Sequence, residues 1–250
     1  GEKIKEKTQK LEVLSDSLKI KKDQKQALLN EKKAEQSVIE KEKRSQESML
    51  SQVKQKEGSY KRQIRKFQRE EAKVDAEIDK LIRAAIAASN KGSESTTTTA
   101  STFKLTPEDR ALASQFTSNK GKLPWPVEKG YVSTYFGKQP HPIVRTTTIQ
   151  SNGVRITTDR NSEARAVFEG TVFNILLMSG NKKAVLIQHG NFISVYKNLE
   201  KVYVTKGDKV KTKEAIGTVF TDKITDKTIL NFMLTNNSKP ENPANWLYRM

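Results

Sequence analysis

Apolar residues recur every seven positions along the first third of the chain. Starting from Ile4, the series runs Leu11, Leu18, Lys25, Lys32, Ile39, Gln46, Val53, Tyr60, Phe67, Val74 and Leu81, and nine of the twelve positions are apolar or aromatic. A seven-residue apolar period needs a slightly underwound helix in a left-handed supercoil, so the spacing predicts a coiled coil over 1–91. A second seam is patchier. Leu14, Leu28 and Met49 lie on it with Lys21, Glu35, Lys56 and Glu70, while Leu29, Leu50, Ile64 and Ile78 fall one position later. An unbroken helix of this length would extend about 130 Å at 1.5 Å per residue. Such a helix cannot cover its own stripe, so the chain is expected to self-associate through 1–89 or to pair with another helix. Gly58-Ser59 is the one cheap place for a bend.

The pattern then changes. Lys91-Gly92-Ser93-Glu94-Ser95, followed by Thr96 to Thr99, has nothing to bury, and 92–105 reads as a Ser/Thr-rich linker. Thr106-Pro107-Glu108-Asp109 is a helix start with Thr as N-cap, Pro at the first helical position and acids in the first turn. A short helix is predicted within 106–121, with Leu112 and Phe116 as its apolar anchors. Two roles are open to it: an edge helix of the next domain, or a movable lid.

From 122 to 250 short runs rich in Val, Ile, Phe and Thr replace the seven-residue series. Short runs such as Ala184-Val185-Leu186-Ile187, Phe192-Ile193-Ser194-Val195-Tyr196 and Ala215-Ile216-Gly217-Thr218-Val219 are separated by glycine turns about ten residues apart, which predicts a mostly antiparallel β domain. The expected class is α+β. The stretch 1–91 holds two of the 12 glycines, Gly1 and Gly58, and none of the 7 prolines, so the two parts are different materials.

Composition narrows the function. Only 34% of the 250 residues are hydrophobic, which a long solvated helix explains. No apolar run approaches the 18 residues or more of a membrane span. The net charge is +17, but the helix mixes signs, as in Glu40-Lys41-Glu42-Lys43, and no basic block with interleaved aromatics marks a nucleic-acid surface. No nucleic-acid partner is expected. Cysteine is absent, which excludes disulfides and thiolate metal sites. The two histidines, His141 and His189, are far apart in sequence. They do not supply the three or so protein ligands of a hydrolytic zinc. Walker, dinucleotide and Gly-x-Ser-x-Gly motifs are absent.

A chain of motifs across 123–250 carries a resemblance. Leu123-Pro124-Trp125-Pro126-Val127, Thr134-Tyr135-Phe136-Gly137, Gly153-Val154-Arg155-Ile156, Ala166-Val167-Phe168-Glu169-Gly170-Thr171-Val172, Gln188-His189-Gly190 and Val204-Thr205-Lys206-Gly207-Asp208 occur in the order of the LytM, or M23, peptidase domain, which this region resembles. With a coiled coil in front, the whole resembles an EnvC-type murein hydrolase activator. The resemblance also exposes departures. Active members bind zinc through a His-x-x-x-Asp pair and the second His of a His-x-His. Here the corresponding residues are Ser151, Arg155 and, at the His-x-His, Ile229-Leu230-Asn231, while a further catalytic His is matched by Asn198. No metal or other cofactor is therefore expected, and no catalysis.

The resemblance implies a non-catalytic activator of N-acetylmuramyl-L-alanine amidases in cell separation. The cleft around Ser151, Arg155, Asn198, Ile229 and Asn231 would bind the amidase, and the helix at 107–118 would act as a restraint over it. The coiled coil would engage a membrane division complex, with peptidoglycan itself a further candidate ligand. An envelope or periplasmic location is implied, with the signal peptide outside this sequence. The competing readings are an active zinc endopeptidase and a structural envelope coiled-coil protein.

Overall fold

The computed structural model describes residues 2–90, 102–141, 144, 146–223 and 225–250. It has two compact units, Gly1–Arg62 and Gln63–Met250. The first helix, α1 (Glu2–Asn90), runs unbroken through Gly58 and contributes to both. The Thr-rich stretch 96–99 lies outside the described residues.

In the first unit, α1 carries its stripe uncovered. Leu11, Leu14, Leu18, Leu28 and Ile39 are each more than half exposed. Ion pairs one turn apart, Lys10–Glu6 and Arg44–Glu40, lie on the surface, where such pairs contribute a few tenths of a kcal/mol. Among the described residues, no helix of the chain is long and apolar enough to cross a membrane.

The second unit is built on a ten-stranded antiparallel sheet. Its strands, with a separate hairpin of β2 and β3, are β1 (Tyr131–Thr134), β2 (Gly137–Pro140), β3 (Thr148–Ser151), β4 (Val154–Thr158), β5 (Glu163–Arg165) and β6 (Gly170–Met178). They continue as β7 (Lys182–His189), β8 (Phe192–Val202), β9 (Lys209–Val210), β10 (Ala215–Val219), β11 (Thr228–Asn236) and β12 (Lys239–Glu241). The central order is β1-β4-β11-β8-β7-β6-β9. Alternation along the strands sends side chains to two faces, and both are buried. Val185, Ile187, Tyr196, Leu230 and Phe232 point into the main core. Ala184, Leu186, Ile193, Val195 and Met233 form a second core on the other face.

The C-terminal part of α1 covers that second face. Ile78, Ile82 and Ile86, spaced by four, are fully buried there, with Val74 and Phe103 beside them. Each such isoleucine contributes about 1.5–3 kcal/mol of burial, before ordering entropy. The seven-residue reading assigned Val74 and Leu81 to a stripe for another helix. The structure instead turns the last four turns inward, because i, i+4 spacing keeps three isoleucines on one line facing the sheet. Residues 102–105, placed in the linker on composition, are tied down as well. Asn90 Nδ2 donates to the Thr102 carbonyl, and Phe103 N–H donates to Asn237 Oδ1.

The short helix α2 (Pro107–Ser118) starts as its sequence dictates. Thr106 Oγ1 accepts from Asp109 N–H, and the Asp109 carboxylate accepts from Thr106 N–H. Its location corrects the restraint expectation. Phe116 is fully buried in the main core, stacked on Phe192 and His189 at centroid separations of 4.9 Å for both and 5.1 Å from Trp246. Leu112 is only partly buried, and the second buried residue is Ala113. Gly190, at φ +70°, lets α2 approach β7, because a Cβ there would collide with Asp109 O and with Ala113 Cβ at 2.7 Å. α2 is thus a packed edge helix, on the face of the sheet opposite the cleft residues.

His189 is enclosed in this core. Its Nδ1–H donates to the Glu169 carbonyl at 2.6 Å, and Nε2 lies 2.8 Å from Ser194 Oγ. Burial, partly offset by the Glu169 hydrogen bond, lowers its pKa to about 4. An unfolded chain takes up this proton near pH 6.5, so the contribution to stability is complete above that pH. It is lost as the pH falls from 6.5 through 4, by roughly 3 kcal/mol. We expect the melting temperature of the β unit to fall over this window and to fall less in His189→Gln. An unchanged acid profile in that variant would refute the assignment.

The uncovered stripe of the first unit gives a second expectation. Light scattering at tens of micromolar should report an associated species. Truncation of residues 1–62 should abolish it; a monomeric full chain at that concentration would count against self-pairing.

Candidate functional site

Three residues stand abreast on the second face. Arg155 of β4 is in register with Asn231 of β11, and Asn231 is in register with Lys197 of β8. Strand spacing of about 4.8 Å places the three side chains in one row. Two of them are positions singled out in the sequence. Lys197 was not, although it precedes Asn198 and shares the parity of the inward-facing Ile193 and Val195. Its side chain is 6% exposed, which a lysine tolerates only with a partner.

Both cations are matched by α1. Glu71 Oε2 pairs with Arg155 Nη2, and Glu71 Oε1 lies 3.5 Å from Asn231 Nδ2. Asp75 Oδ1 pairs with Lys197 Nζ at 2.6 Å, and Asp75 Oδ2 accepts from Asn152 Nδ2 at 3.0 Å. The guanidinium is also stacked on Phe67, 4.7 Å from the ring centroid. Side-chain exposures of 17–18% for Arg155, Glu71 and Asp75 put both pairs largely out of water. Burial makes such pairs asymmetric in energy: forming them nets little, but removing one member costs about 3–5 kcal/mol by stranding the other.

The remaining sequence-chosen positions are occupied locally. Ser151 Oγ donates to the Gly153 carbonyl at 2.9 Å and shapes the turn that brings in Asn152. Gly153 itself permits close passage beside Phe232, since a Cβ there would meet the Phe232 carbonyl. Asn198, at φ +73°, donates through Nδ2 to the Ile229 carbonyl at 2.6 Å and accepts through its own carbonyl from Phe220 N–H. Ile229 presents its side chain to a cavity of about 200 Å³ between α1 and the sheet, shared with Phe67, Val74, Arg155, Lys182 and Lys227. His141, set aside in the sequence, lies close enough to Arg155 for that charge to lower its pKa, after the larger effect of burial. Its Nδ1 accepts from Val144 N–H at 3.1 Å.

These residues do not fit a zinc ion. A guanidinium has five donors and no lone pair for a metal, and its charge repels a dication. The other matched positions carry asparagine, serine and isoleucine, so no imidazole stands at any of them. Among the described residues, no group of three or more His, Cys, Asp or Glu side chains is arranged to hold a metal. What the row offers is hydrogen-bond donors and positive charge, which suits carboxylates.

Residues 150–243 match the family model described as peptidase family M23, which this part of the chain is similar to. No curated protein sequence is significantly similar to the chain. Among solved structures, the chain is similar to one described as the SpoIIQ-SpoIIIAH pore-forming complex, at 20% identity and TM-score 0.44 over 52% of this chain and 93% of that one. It is similar to Csd3 of Helicobacter pylori, at 26% identity and TM-score 0.42 over 50% of this chain and 34% of that one. It is also similar to a zinc-containing peptidase from Vibrio cholerae, at 21% identity and TM-score 0.43 over 50% of this chain and 40% of that one. The chain thus matches well under half the length of the last two.

The donor chemistry of the row gives a direct expectation. Elemental analysis of the purified chain should find far less than one zinc per molecule, even after incubation with excess zinc and desalting. Stoichiometric retained zinc would contradict it.

Proposed function

We propose that the chain is a non-catalytic activator of peptidoglycan amidases acting in cell separation. In this reading the M23 domain keeps the sheet and cleft of a peptidase but uses them to bind a zinc amidase, which cleaves the bond between glycan and stem peptide. The observation that carries the reading is the row Arg155–Asn231–Lys197. Residues matched to two metal-ligand positions face carboxylates of the chain's own helix instead of a metal. A face so occupied cannot take a partner at the same time.

Restraint therefore falls to α1 rather than α2. The segment from Phe67 to Ile86 lies over the face the amidase would use, held by two ion pairs at one end and three isoleucines at the other. Activation requires a second state in which this segment has left, populated when something binds that state more tightly. The coiled coil of the first unit is the natural input, through a membrane division complex in the envelope or periplasm. Such a complex would bias α1 by pulling on, or pairing with, the uncovered stripe around Leu11, Leu18 and Ile39.

Dye release from labelled peptidoglycan tests this. The chain alone should release none, and the chain with a candidate amidase should release dye above the amidase alone. Glu71→Gln with Asp75→Asn removes both carboxylates without changing side-chain size and should raise the stimulation several-fold, because two buried cations are left unpaired under the helix. Zinc-dependent release by the chain alone would establish the endopeptidase reading. Absence of stimulation by either form across the candidate amidases would leave the structural reading in its place.

A further inference from the structure

The long strand β6 is left open along most of its outer side. β9 covers only its first two residues, Gly170 and Thr171. Val172 is served by the preceding loop: its N–H donates to the Asp208 carbonyl and its own carbonyl accepts from Gly207 N–H, both at 2.8 Å. Among the described residues, no strand pairs with the outer side of β6 from Phe173 to Met178. The register against β7 shifts between Val172 and Asn174, which resets the alternation of the backbone. Ile175 N–H then donates to Asn174 Oδ1 at 2.9 Å, so a side chain stands where a neighbouring strand would be. Alternation from Ile175 turns the N–H and C=O of Leu177 to the same outer side.

Open edges are normally guarded by shortness, by proline or by charges on the strand itself. β6 has none of these. Its nine residues exceed the usual five or six, and Gly170–Met178 contains no proline and no charged side chain. Leu177 is 71% exposed, beside the half-buried Leu176 and Met178. Charge gathers at the two ends instead. Lys183 is the cross-strand neighbour of Leu177, and Lys182 that of Met178. At the other end Lys206 and Lys209 are exposed around the loop that serves Val172. The one acid between them, Asp208, has Oδ2 turned to Thr205 N–H and Oγ1. None of these four lysines is in an ion pair among the described residues.

We propose that the outer edge of β6 is a strand-addition site for an extended segment of a partner protein. That segment is uncharged and apolar over about five residues, the length of the open stretch, and carries Asp or Glu on both sides. The outward N–H and C=O groups of Ile175 and Leu177 call for donors and acceptors at strand spacing, which another extended backbone presents. The apolar centre of the segment covers Leu177. Its flanking acids meet Lys182 and Lys183 at one end and Lys206 and Lys209 at the other. These charges select against a second copy of the chain. Two β6 edges paired antiparallel would bring the Lys182–Lys183 end of each to the Lys206–Lys209 end of the other, and like charges so placed destabilise a sheet. The site lies two strands out from β8 in the sheet, and it stands or falls independently of the activator reading.

The test titrates the full chain into a fluorescent peptide, Glu-Glu-Val-Thr-Val-Thr-Val-Glu-Glu, and follows anisotropy. The same peptide N-methylated at its five central residues keeps every side chain but loses the donors, and should bind at least about 10-fold more weakly. A peptide with lysine in place of each glutamate should also bind more weakly, by a margin that shrinks as salt is raised. In the chain, Leu177→Pro removes an outward N–H without touching a bond to β7 and should lower affinity at least about 10-fold, with melting to verify the fold. Leu177→Lys leaves the backbone intact and should weaken binding of the acidic peptide by uncovering its apolar centre. The chain has no cysteine, so Leu177→Cys supplies a single thiol at the edge, which should form a disulfide with a peptide carrying cysteine at its central position. Binding that survives full N-methylation would overturn the proposal, as would no binding at about 1 mM peptide. Disulfide-linked chain dimers through Leu177→Cys that persist in excess peptide would assign the edge to a second copy and overturn it as well.

Discussion

The second unit depends on a charge that has to be answered. A guanidinium at the centre of a sheet face, flanked by a buried ammonium, is untenable in a low-dielectric setting without anions close by. In an M23 peptidase, as the sequence resemblance describes it, this place holds a dication among histidines and an aspartate, and the ligands supply the electron pairs. Arg155, at the position that the resemblance matches to that aspartate, reverses the requirement: the sheet carries the positive charge, and the anion must come from outside it. Glu71 supplies it here, with Asn231 holding its second oxygen. The position of the last turns of α1 follows from that pairing as much as from the apolar groove beside it.

The groove and the ion pairs do different things to the helix. Three buried isoleucines provide non-directional stabilisation that tolerates sliding and rotation. The two ion pairs admit one register only, since moving α1 by a single residue would rotate Glu71 and Asp75 away by about 100°. Pairs of this kind add little net stability but are costly to leave half made. They therefore specify which helix fits more than how firmly it is held. A competing helix that merely presents aliphatic residues would leave Arg155 and Lys197 unanswered, and that penalty discriminates against it.

Much of this was legible in the chain. The heptad series predicted a long helix, the short apolar runs between glycine turns predicted the β domain, and the Thr-Pro-Glu-Asp start predicted α2 with its N-cap. Such features depend on local pattern, and local pattern is what a single sequence carries. The partners of the helices were not local. Phe116 reads equally well as a lid anchor or a core residue, because nothing near it names the His189, Phe192 and Trp246 rings it meets. The signal for α1 lies in a change of spacing that the seven-residue series masks. From Val74 onward the spacing tightens from seven to four, through Ile78, Ile82 and Ile86, and acids enter the same line at Glu71 and Asp75 while every cation stays off it. A shift from coiled-coil spacing to a stripe of β-branched residues signals a helix packing on its own domain. Lys197 was hidden for another reason: strand parity places it inward, but only the register of β4, β11 and β8 puts it beside Arg155 and Asn231.

The same geometry constrains how such a face can be switched. A bound helix that shares one chain with its receptor competes at a high effective concentration, so a free partner must either bind far more tightly or meet a face already partly vacated. The polar end is the weak point for that exchange. Water entering between α1 and the row can solvate Glu71, Asp75, Arg155 and Lys197 at once and recover much of their desolvation cost, whereas lifting Ile78, Ile82 and Ile86 exposes apolar surface with no such return. Opening should therefore begin at the Phe67–Asp75 end, nearer the coiled coil in sequence. In chain order the ion pairs of Glu71 and Asp75 come before Ile78, Ile82 and Ile86. The order of residues along the helix makes the charged contacts respond first, and the apolar contacts keep the segment close enough to return.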